Sequence, residues 1–295
     1  MFKVMLYPVV VLMTFTANLA PMTSEEIDAL WDFSNPATSR QRFEQALEKS
    51  PESADELRTQ IARTWGLERQ FDLAKAELRK IESPPSALVR VRYDLEWGRI
   101  LNSEGNPKAA RPSFKQALKA AQAAGLDYCA VDAAHMLGIV TEGKESLQWN
   151  ESAIKLATAS KEARARGWLG SLLNNLAWTY HDMGEFDKAL EKFQAALEFR
   201  RGAGKPEPER IAQWSVARCL RSLKRFDEAL AIQRELEKLS DDGFVWEEIA
   251  ELLLALGKKE EARPYFRKAF DALSADDWLT KNEPARIARL KELGA

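Results

Sequence analysis

Two histidines and two cysteines are the side chains in this 295-residue chain that most readily perform catalysis or bind a transition metal. Cys129 and Cys219 lie far apart, and neither has a Cys-x-x-Cys partner or a neighbouring histidine. A zinc site or a disulfide framework is therefore not expected. Both cysteines fall within helical patterns, and we predict that they are small buried thiols.

The histidines give no catalytic pattern either. His181 precedes Asp182, and adjacent residues on a helix point apart, so this carboxylate is not expected to orient the imidazole. His135 lies inside another helical pattern, and no serine or cysteine nucleophile stands in a recognisable turn. The glycines of the RRGAGKPEPE segment follow a helix and lack the GK[ST] of a phosphate loop. The sequence predicts no enzyme, no catalytic residue, no metal and no cofactor.

The overall charge disfavours a nucleic-acid partner. Lys and Arg number 43 and Asp and Glu number 45, which leaves a net charge of -2. Proteins that bind phosphate backbones usually carry a basic surplus, and this chain has none. Apolar residues make up 45% of the chain, a proportion typical of a folded domain.

The first residues resemble a secretory signal peptide, with an apolar stretch over Val4–Phe15 and a small residue at Ala20. Asn18 and Pro21 depart from the pattern that surrounds a cleavage point. The stretch is also shorter than the roughly 20 apolar residues that a transmembrane helix needs. We therefore expect no stable membrane span, and an exported protein if residues 1–20 are a true signal.

A second interpretation places the start of the protein at Met22. Thr23 or Ser24 can cap a helix that begins there with acidic residues, as in a cytoplasmic protein. Residues 1–21 would then be an over-extended start. Both interpretations stay open, and we prefer the cytoplasmic one.

The elements that position all these residues form a repeat. After residue 22 the chain is rich in helix formers with a 3.6-residue period, and no strand-like alternation persists. The spacing Ala-x-x-x-Phe-x-x-Ala-Leu recurs at Ala189–Leu197 and Ala110–Leu118, with a close variant at Ala262–Phe270. Looser copies begin at Ala74 and Ala229. The large–small couples that precede them are Ile61-Ala62, Trp97-Gly98, Leu176-Ala177, Val216-Ala217 and Ile249-Ala250.

Two further units are weaker. One has its small residues at Ala134 and Ser146, and a partial unit carries Ser39 and Phe43. The key positions 39, 74, 110, 146, 189, 229 and 262 are separated by as little as 33 residues (229 to 262) and as many as 43 (146 to 189). The longer spacings predict extended helices or loops near residues 161–168 and 200–209.

This pattern resembles the tetratricopeptide repeat family, whose usual period is 34 residues. The resemblance implies an all-α fold, a right-handed α-solenoid of about six helical hairpins over residues 22–282. A capping helix is expected at residues 283–295. The chain also resembles uncharacterised bacterial tetratricopeptide proteins with a similar opening, here Asp28–Pro36.

In this family the first helix of each hairpin faces the concave side, so the resemblance implies a binding groove there. Arginine forks can hold carboxylates, aromatic faces supply apolar contact, and asparagine amides can pair with a peptide backbone. The predicted partner-binding residues on that side are Arg63, Arg99, His135, Asn174, Asn175, Trp178, Trp214 and Arg218. An alternative is that acids on the same helices simply pair with the arginines, namely Glu96, Asp132, Glu248 and Glu251.

The predicted function is a non-enzymatic protein–protein interaction scaffold or adaptor that binds a peptide or protein segment in the groove. The alternative is a peptide-sensing regulatory protein whose superhelix changes shape on ligand binding. The long spacings resemble those of tetratricopeptide receptors for signalling peptides. The identity of the partner does not follow from the sequence.

Overall fold

The computed structural model describes residues 20–295, and every regular element in that range is helical. The apolar segment before residue 20, and with it the choice between a signal peptide and a late start, lies outside the described residues. The chain divides into two compact units. Unit 1 comprises the described residues up to Asn106, and unit 2 comprises Pro107–Ala295.

Unit 1 contains five α-helices and one short 3₁₀ helix at Pro51–Ser53. The α-helices are α1 Ser24–Asp28, α2 Pro36–Lys49, α3 Ala54–Leu67, α4 Phe71–Arg79 and α5 Ala87–Ser103. Thr23 begins α1 in a reciprocal capping box with Glu26, which satisfies backbone donors that the first turn leaves unpaired. The side chain of Ser86 caps α5 by accepting a hydrogen bond from the Val89 amide.

Unit 2 contains the remaining helices, most of them paired as antiparallel hairpins. They are α6 Pro107–Ala123, α7 Asp127–Ile139, α8 Gly143–Ala159, α9 Ala163–Arg166, α10 Leu169–Asp182, α11 Phe186–Gly202, α12 Pro206–Ser222, α13 Phe226–Glu237, α14 Gly243–Ala255, α15 Lys259–Leu273, α16 Asp277–Asn282 and α17 Pro284–Gly294. The hairpins are α7/α8, α10/α11, α12/α13 and α14/α15, and α17 packs on α15. The short helix α9 accounts for the extra residues in the spacing between Ser146 and Ala189.

The turns of α10/α11, α12/α13 and α14/α15 share one backbone geometry. Gly184 follows α10 with φ 78°, and the amide of Glu185 donates to the Tyr180 carbonyl at 2.9 Å. This left-handed residue closes the last turn of the helix. Lys224 takes the same place after α12 with φ 59°, where glycine would carry no steric penalty.

The repeat signature is realised as close helix packing. In four of the five couples the small residue has an exposed fraction of 0%, namely Ala62, Ala177, Ala217 and Ala250. The aromatic positions of the second helices, Phe43, Phe114, Phe193 and Phe266, are also fully buried. Small residues on the first helix let the second helix approach, and the aromatic ring fills the space beside the contact. The predicted all-α fold of tetratricopeptide-type hairpins is confirmed.

Two hairpins have an amide at the position that Phe114, Phe193 and Phe266 occupy in other repeats. Asn150 donates to Ser146 Oγ at 3.4 Å and lies against Gly138, where a Cβ atom would come within 2.7 Å of its Oδ1. Gln233 is fully buried, and neither atom of its amide has a hydrogen-bond partner among the residues described. A buried unpaired polar group costs about 1–3 kcal/mol. Gln233 is therefore a local weakness in the core of unit 2.

Replacing Gln233 with methionine is expected to stabilise the protein by about 1–3 kcal/mol, because an apolar chain of similar length removes the unpaired amide. Urea unfolding followed by circular dichroism measures the change. The matched control is Gln194→Met on the exposed side of α11, which should leave the unfolding midpoint where it is. A midpoint lowered by Gln233→Met would show that the amide has a partner in solution.

A bulky residue at a small position tests the register of the repeats. Ala177→Trp places a large ring in the contact with Ala189 and Phe193, and overpacking of this kind costs about 1–3 kcal/mol. Differential scanning calorimetry should show a lower melting temperature. The control Ala195→Trp changes an exposed position on α11 and should have little effect. Equal melting temperatures for the two variants would contradict the register.

Candidate functional site

The eight predicted binding residues lie on the first helices of the hairpins. Unit 1 carries Arg63 on α3 and Arg99 on α5, and unit 2 carries the other six on α7, α10 and α12. We call the surface of α3 and α5 the first-helix face of unit 1, and the surface of α7, α10, α12 and α14 the first-helix face of unit 2. All eight side chains are partly exposed. The neighbouring row is mostly buried, since Gln60, Glu96, Asp132, Ser215 and Glu248 are at most 5% exposed.

In unit 1 the two predicted arginines share one buried acid. Arg63 Nη1 lies 3.5 Å from Glu96 Oε1, and Arg99 also pairs with Glu96. The Arg63 guanidinium stands 5.7 Å from the ring centroid of Trp31, which stacks on the exposed ring of Phe33 at 4.7 Å. Glu96 therefore fits the alternative interpretation of the sequence, in which acids of the groove pair with the arginines.

The first part of the face in unit 2 is an aromatic cluster. The His135 ring lies 5.3 Å from the Trp168 ring, and Tyr128 lies 6.0 Å from the same tryptophan. The Arg164 guanidinium sits 3.6 Å from the Tyr128 ring centroid. Trp168 comes just before α10, in the segment where the repeat is longest. The repeat pattern therefore does not predict it as a residue of this site.

A row of three aromatic rings crosses the face from α10 to α14. Trp178 lies 6.3 Å from Trp214, and Trp214 lies 6.5 Å from Phe244. Trp178 also packs edge-on against the buried ring of Phe193 at 4.9 Å. The Trp214 indole donates from Nε1 to the Phe244 carbonyl at 3.2 Å, which holds the ring in place. We call Trp178, Trp214 and Phe244 the aromatic row. Asn174 and Asn175 lie one turn before Trp178 on α10.

Beside the aromatic row, one buried carboxylate pairs with two arginines. Glu248 on α14 accepts from Arg221 Nε at 2.8 Å and from Arg221 Nη2 at 2.9 Å. Arg218 Nε lies 3.2 Å from the same carboxylate. Such two-point pairing is the strong geometry for an arginine and a carboxylate. The predicted site residue Arg218 is thus already paired within the protein.

The acids of α14 are bridged from the other side by α17. Arg286 donates to Glu247 at 2.8 Å from Nε and to Glu283 at 2.9 Å from Nη1. Arg289 pairs with Glu251. The charged groups on this part of the face are therefore largely compensated within unit 2.

A polar contact that sequence spacing did not reveal joins α10 to α12. His181 Nε2 lies 2.9 Å from Ser222 Oγ, and Arg218 Nη1 donates to the same oxygen at 3.0 Å. His181 Nδ1 is 3.8 Å from the exposed carboxylate of Asp182, too far for a hydrogen bond. Burial lowers the pKa of His181 below its usual 6.5, and the positive charge of Arg218 lowers it further. The imidazole is therefore held without the orienting carboxylate that a serine–histidine–aspartate site requires.

Neither cysteine lies in a cluster of ligands. Cys129 and Cys219 are buried and form no disulfide, and burial raises the pKa of the Cys219 thiol to about 11. Across residues 20–295 no group of three or more His, Cys, Asp or Glu side chains is arranged to hold a metal ion. In the same range no helix combines the length and apolar character that crossing a membrane requires.

Comparisons with known proteins agree with this architecture. Models of the tetratricopeptide repeat match residues 168–242 and residues 245–272. No curated protein matches the chain in sequence. Those residues match tetratricopeptide repeats, and the chain has the tetratricopeptide repeat fold.

Solved structures of three proteins illustrate the similarity in fold. A signal transduction ATPase with a tetratricopeptide repeat sensor from Pyrococcus horikoshii is 16% identical, with a TM-score of 0.68 over 92% of this chain; the chain spans 44% of its length. The apo quorum sensor NprR from B. thuringiensis is 16% identical, with a TM-score of 0.61 over 90% of this chain and 78% of that one. A structure of NprR with its cognate peptide NprX gives 17% identity and a TM-score of 0.50, over 90% and 80%.

The third is a tetratricopeptide repeat protein from Parabacteroides merdae. It is 14% identical and has a TM-score of 0.52, over 92% of this chain and 96% of that one. At these identities the similarity concerns the fold alone.

The lowered pKa of His181 predicts a loss of stability in mild acid. In the unfolded chain this histidine takes up a proton near pH 6.5, whereas in the folded protein it does so only at lower pH. Its contribution is therefore present above about pH 6.5 and is lost as the pH falls through the folded pKa. Urea unfolding on either side of that pH measures the difference, and His181→Gln should reduce it. The control His135→Gln keeps His181. An unchanged pH dependence in His181→Gln would contradict the assignment.

Proposed function

We propose that this protein is a non-enzymatic interaction scaffold that binds a peptide or protein segment on the first-helix face of unit 2. Tetratricopeptide repeats are protein-interaction modules, which supports the general class. The observation that carries the specific proposal is the aromatic row, because three partly exposed rings lie in sequence across α10, α12 and α14. Aromatic rings of this kind supply large contact areas with little loss of conformational entropy.

The polar groups near the row refine the expected ligand. Asn174 and Asn175 lie one turn from Trp178, and Asn174 Oδ1 is buried with no hydrogen-bond partner in the described part of the chain. An amide oxygen of this kind can accept from the backbone N–H of an extended peptide. Arg218 is paired with Glu248 and hydrogen-bonded to Ser222. We therefore assign it a role in shaping the face, where it contacts the ligand from one side. The rings and the amides then provide the main contacts.

The same geometry supports a role without catalysis and without nucleic acid. His181 has no orienting carboxylate within hydrogen-bond distance, and Ser222 lies on a helix with its oxygen bonded to Arg218. The arginines of the first-helix face in unit 2 pair with acids, which leaves little free positive charge for phosphate groups. A cytoplasmic location remains part of this proposal.

A second candidate is a peptide-sensing regulator. The similarity to NprR, which is solved with its cognate peptide, favours it. In unit 2 the ion pairs between α12 and α14 and between α14 and α17 must rearrange if these helices move relative to one another. A ligand that binds one arrangement better than the other would shift the population. Small-angle scattering with and without the captured peptide separates a sensor from a rigid scaffold.

The test is capture of partners from a lysate of the source organism, with the full chain as bait. Trp178→Ala removes the first ring of the row and should reduce recovery of the partner about tenfold or more, as for an anchor residue. Asn175→Leu keeps the core intact and should also weaken capture. Circular dichroism checks that both variants fold.

The control is Trp278→Ala, which removes an exposed tryptophan on α16 that has no ring contact with the aromatic row. This variant should recover the same partners as the wild type. If Trp178→Ala and Asn175→Leu recover them equally well, the first-helix face of unit 2 is not the binding surface.

A further inference from the structure

A cavity of about 610 Å³ opens at one edge of unit 2. It lies between the N-terminal parts of α12 and α14 and the C-terminal ends of α13 and α15. We call it the edge pocket and define it by Ile211, Trp214, Phe244, Asp241, Asp242 and Asp276. It shares Trp214 and Phe244 with the aromatic row but opens toward the loops that join the hairpins.

The floor of the edge pocket is apolar and accessible. Ile211 is 51% exposed and Phe244 is 36% exposed, although both are large hydrophobic residues. The indole of Trp214 also lines the pocket and is held in place by its hydrogen bond to the Phe244 carbonyl. The floor is thus formed before any ligand arrives, and it can receive a large apolar side chain without rearrangement.

The rim of the edge pocket is acidic. Glu207, Asp241, Asp242 and Asp276 line it together with a single cation, Arg210. Arg210 already pairs with Glu207 at 3.2 Å. The three aspartates therefore give the rim a net negative charge.

Two of these aspartates are held in place by helix caps. Asp242 Oδ1 accepts from the Phe244 amide at 2.8 Å, and Asp276 Oδ1 accepts from the Trp278 amide at 2.8 Å and the Leu279 amide at 3.1 Å. Each cap uses one carboxylate oxygen, so the other remains available as an acceptor. The rim is thereby ordered by the start of α14 and the start of α16.

We propose that the edge pocket binds a protein segment in which one large apolar side chain is flanked by lysine or arginine. The apolar chain occupies the floor, and the flanking cations contact the aspartates of the rim. Acidic segments are disfavoured because their charges would face Asp241, Asp242 and Asp276. This site goes beyond the proposed function, since binding at the first-helix face requires neither Ile211 nor the acidic rim.

The test uses calorimetric titration of the full chain with a short synthetic peptide that has a central leucine between lysines. The wild type should bind it, more weakly as salt is added, since exposed charges are screened. Ile211→Ser and Asp241→Lys should each raise Kd about tenfold, through loss of apolar contact and reversal of charge. The same peptide with glutamates in place of lysines should not bind, and neither should one with a central alanine.

Two control variants match these changes elsewhere on unit 2. Ile139→Ser alters an isoleucine that is also 51% exposed, at the end of α7. Glu198→Lys reverses an exposed acid on α11. Both should bind the peptide like the wild type. Absence of binding by the wild type, equal binding by all variants, or equal binding of the alanine peptide would each overturn the proposal. None of these outcomes bears on capture through Trp178.

Discussion

The close approach of two helices at a small residue is the contact on which the rest of this structure depends. Where Ala177 on α10 meets Ala189 on α11, neither residue leaves any surface exposed. The buried ring of Phe193 then packs beside the contact, because the distance between the helices is set by the alanines. Hairpins built on this contact leave their first helices with one side outside the core. Side chains on that side are free to differ from repeat to repeat, and they are the ones that form the candidate binding surfaces.

Buried acids on the first helices are paired with arginines of the same unit. Glu96 in unit 1 and Glu248 in unit 2 are nearly buried, and each pairs with two arginines. A buried carboxylate without such partners would carry a large desolvation cost. Part of this pairing joins neighbouring helices, as between Arg63 and Glu96 and between Arg218 and Glu248. The groups outside this pairing in unit 2, the aromatic row and the aspartates of the edge pocket, stand out as surfaces for a partner.

The two surfaces of unit 2 differ in their chemistry. The aromatic row lies beside asparagines and compensated arginines, whereas the edge pocket has an apolar floor under a rim of aspartates. They meet at Trp214, whose indole is fixed by the carbonyl of Phe244. A segment bound at one surface could therefore approach the other. Through these contacts a surface built of helices can be selective for a partner.

The repeat and its helices could be read from the sequence alone, because the contact between hairpin helices demands small and aromatic residues at fixed spacings. Ala62, Ala177 and Phe266 were assigned to the core from that spacing, and the sides of the helices that carry Arg63, Trp178 and Arg218 followed from helical geometry. Only the tertiary structure showed that Arg218 is bound to Glu248, that Ser222 meets His181, and that Asp242 and Asp276 border one cavity. These contacts join residues on different helices. Their distances depend on the angle and offset between hairpins, which the repeat period does not specify.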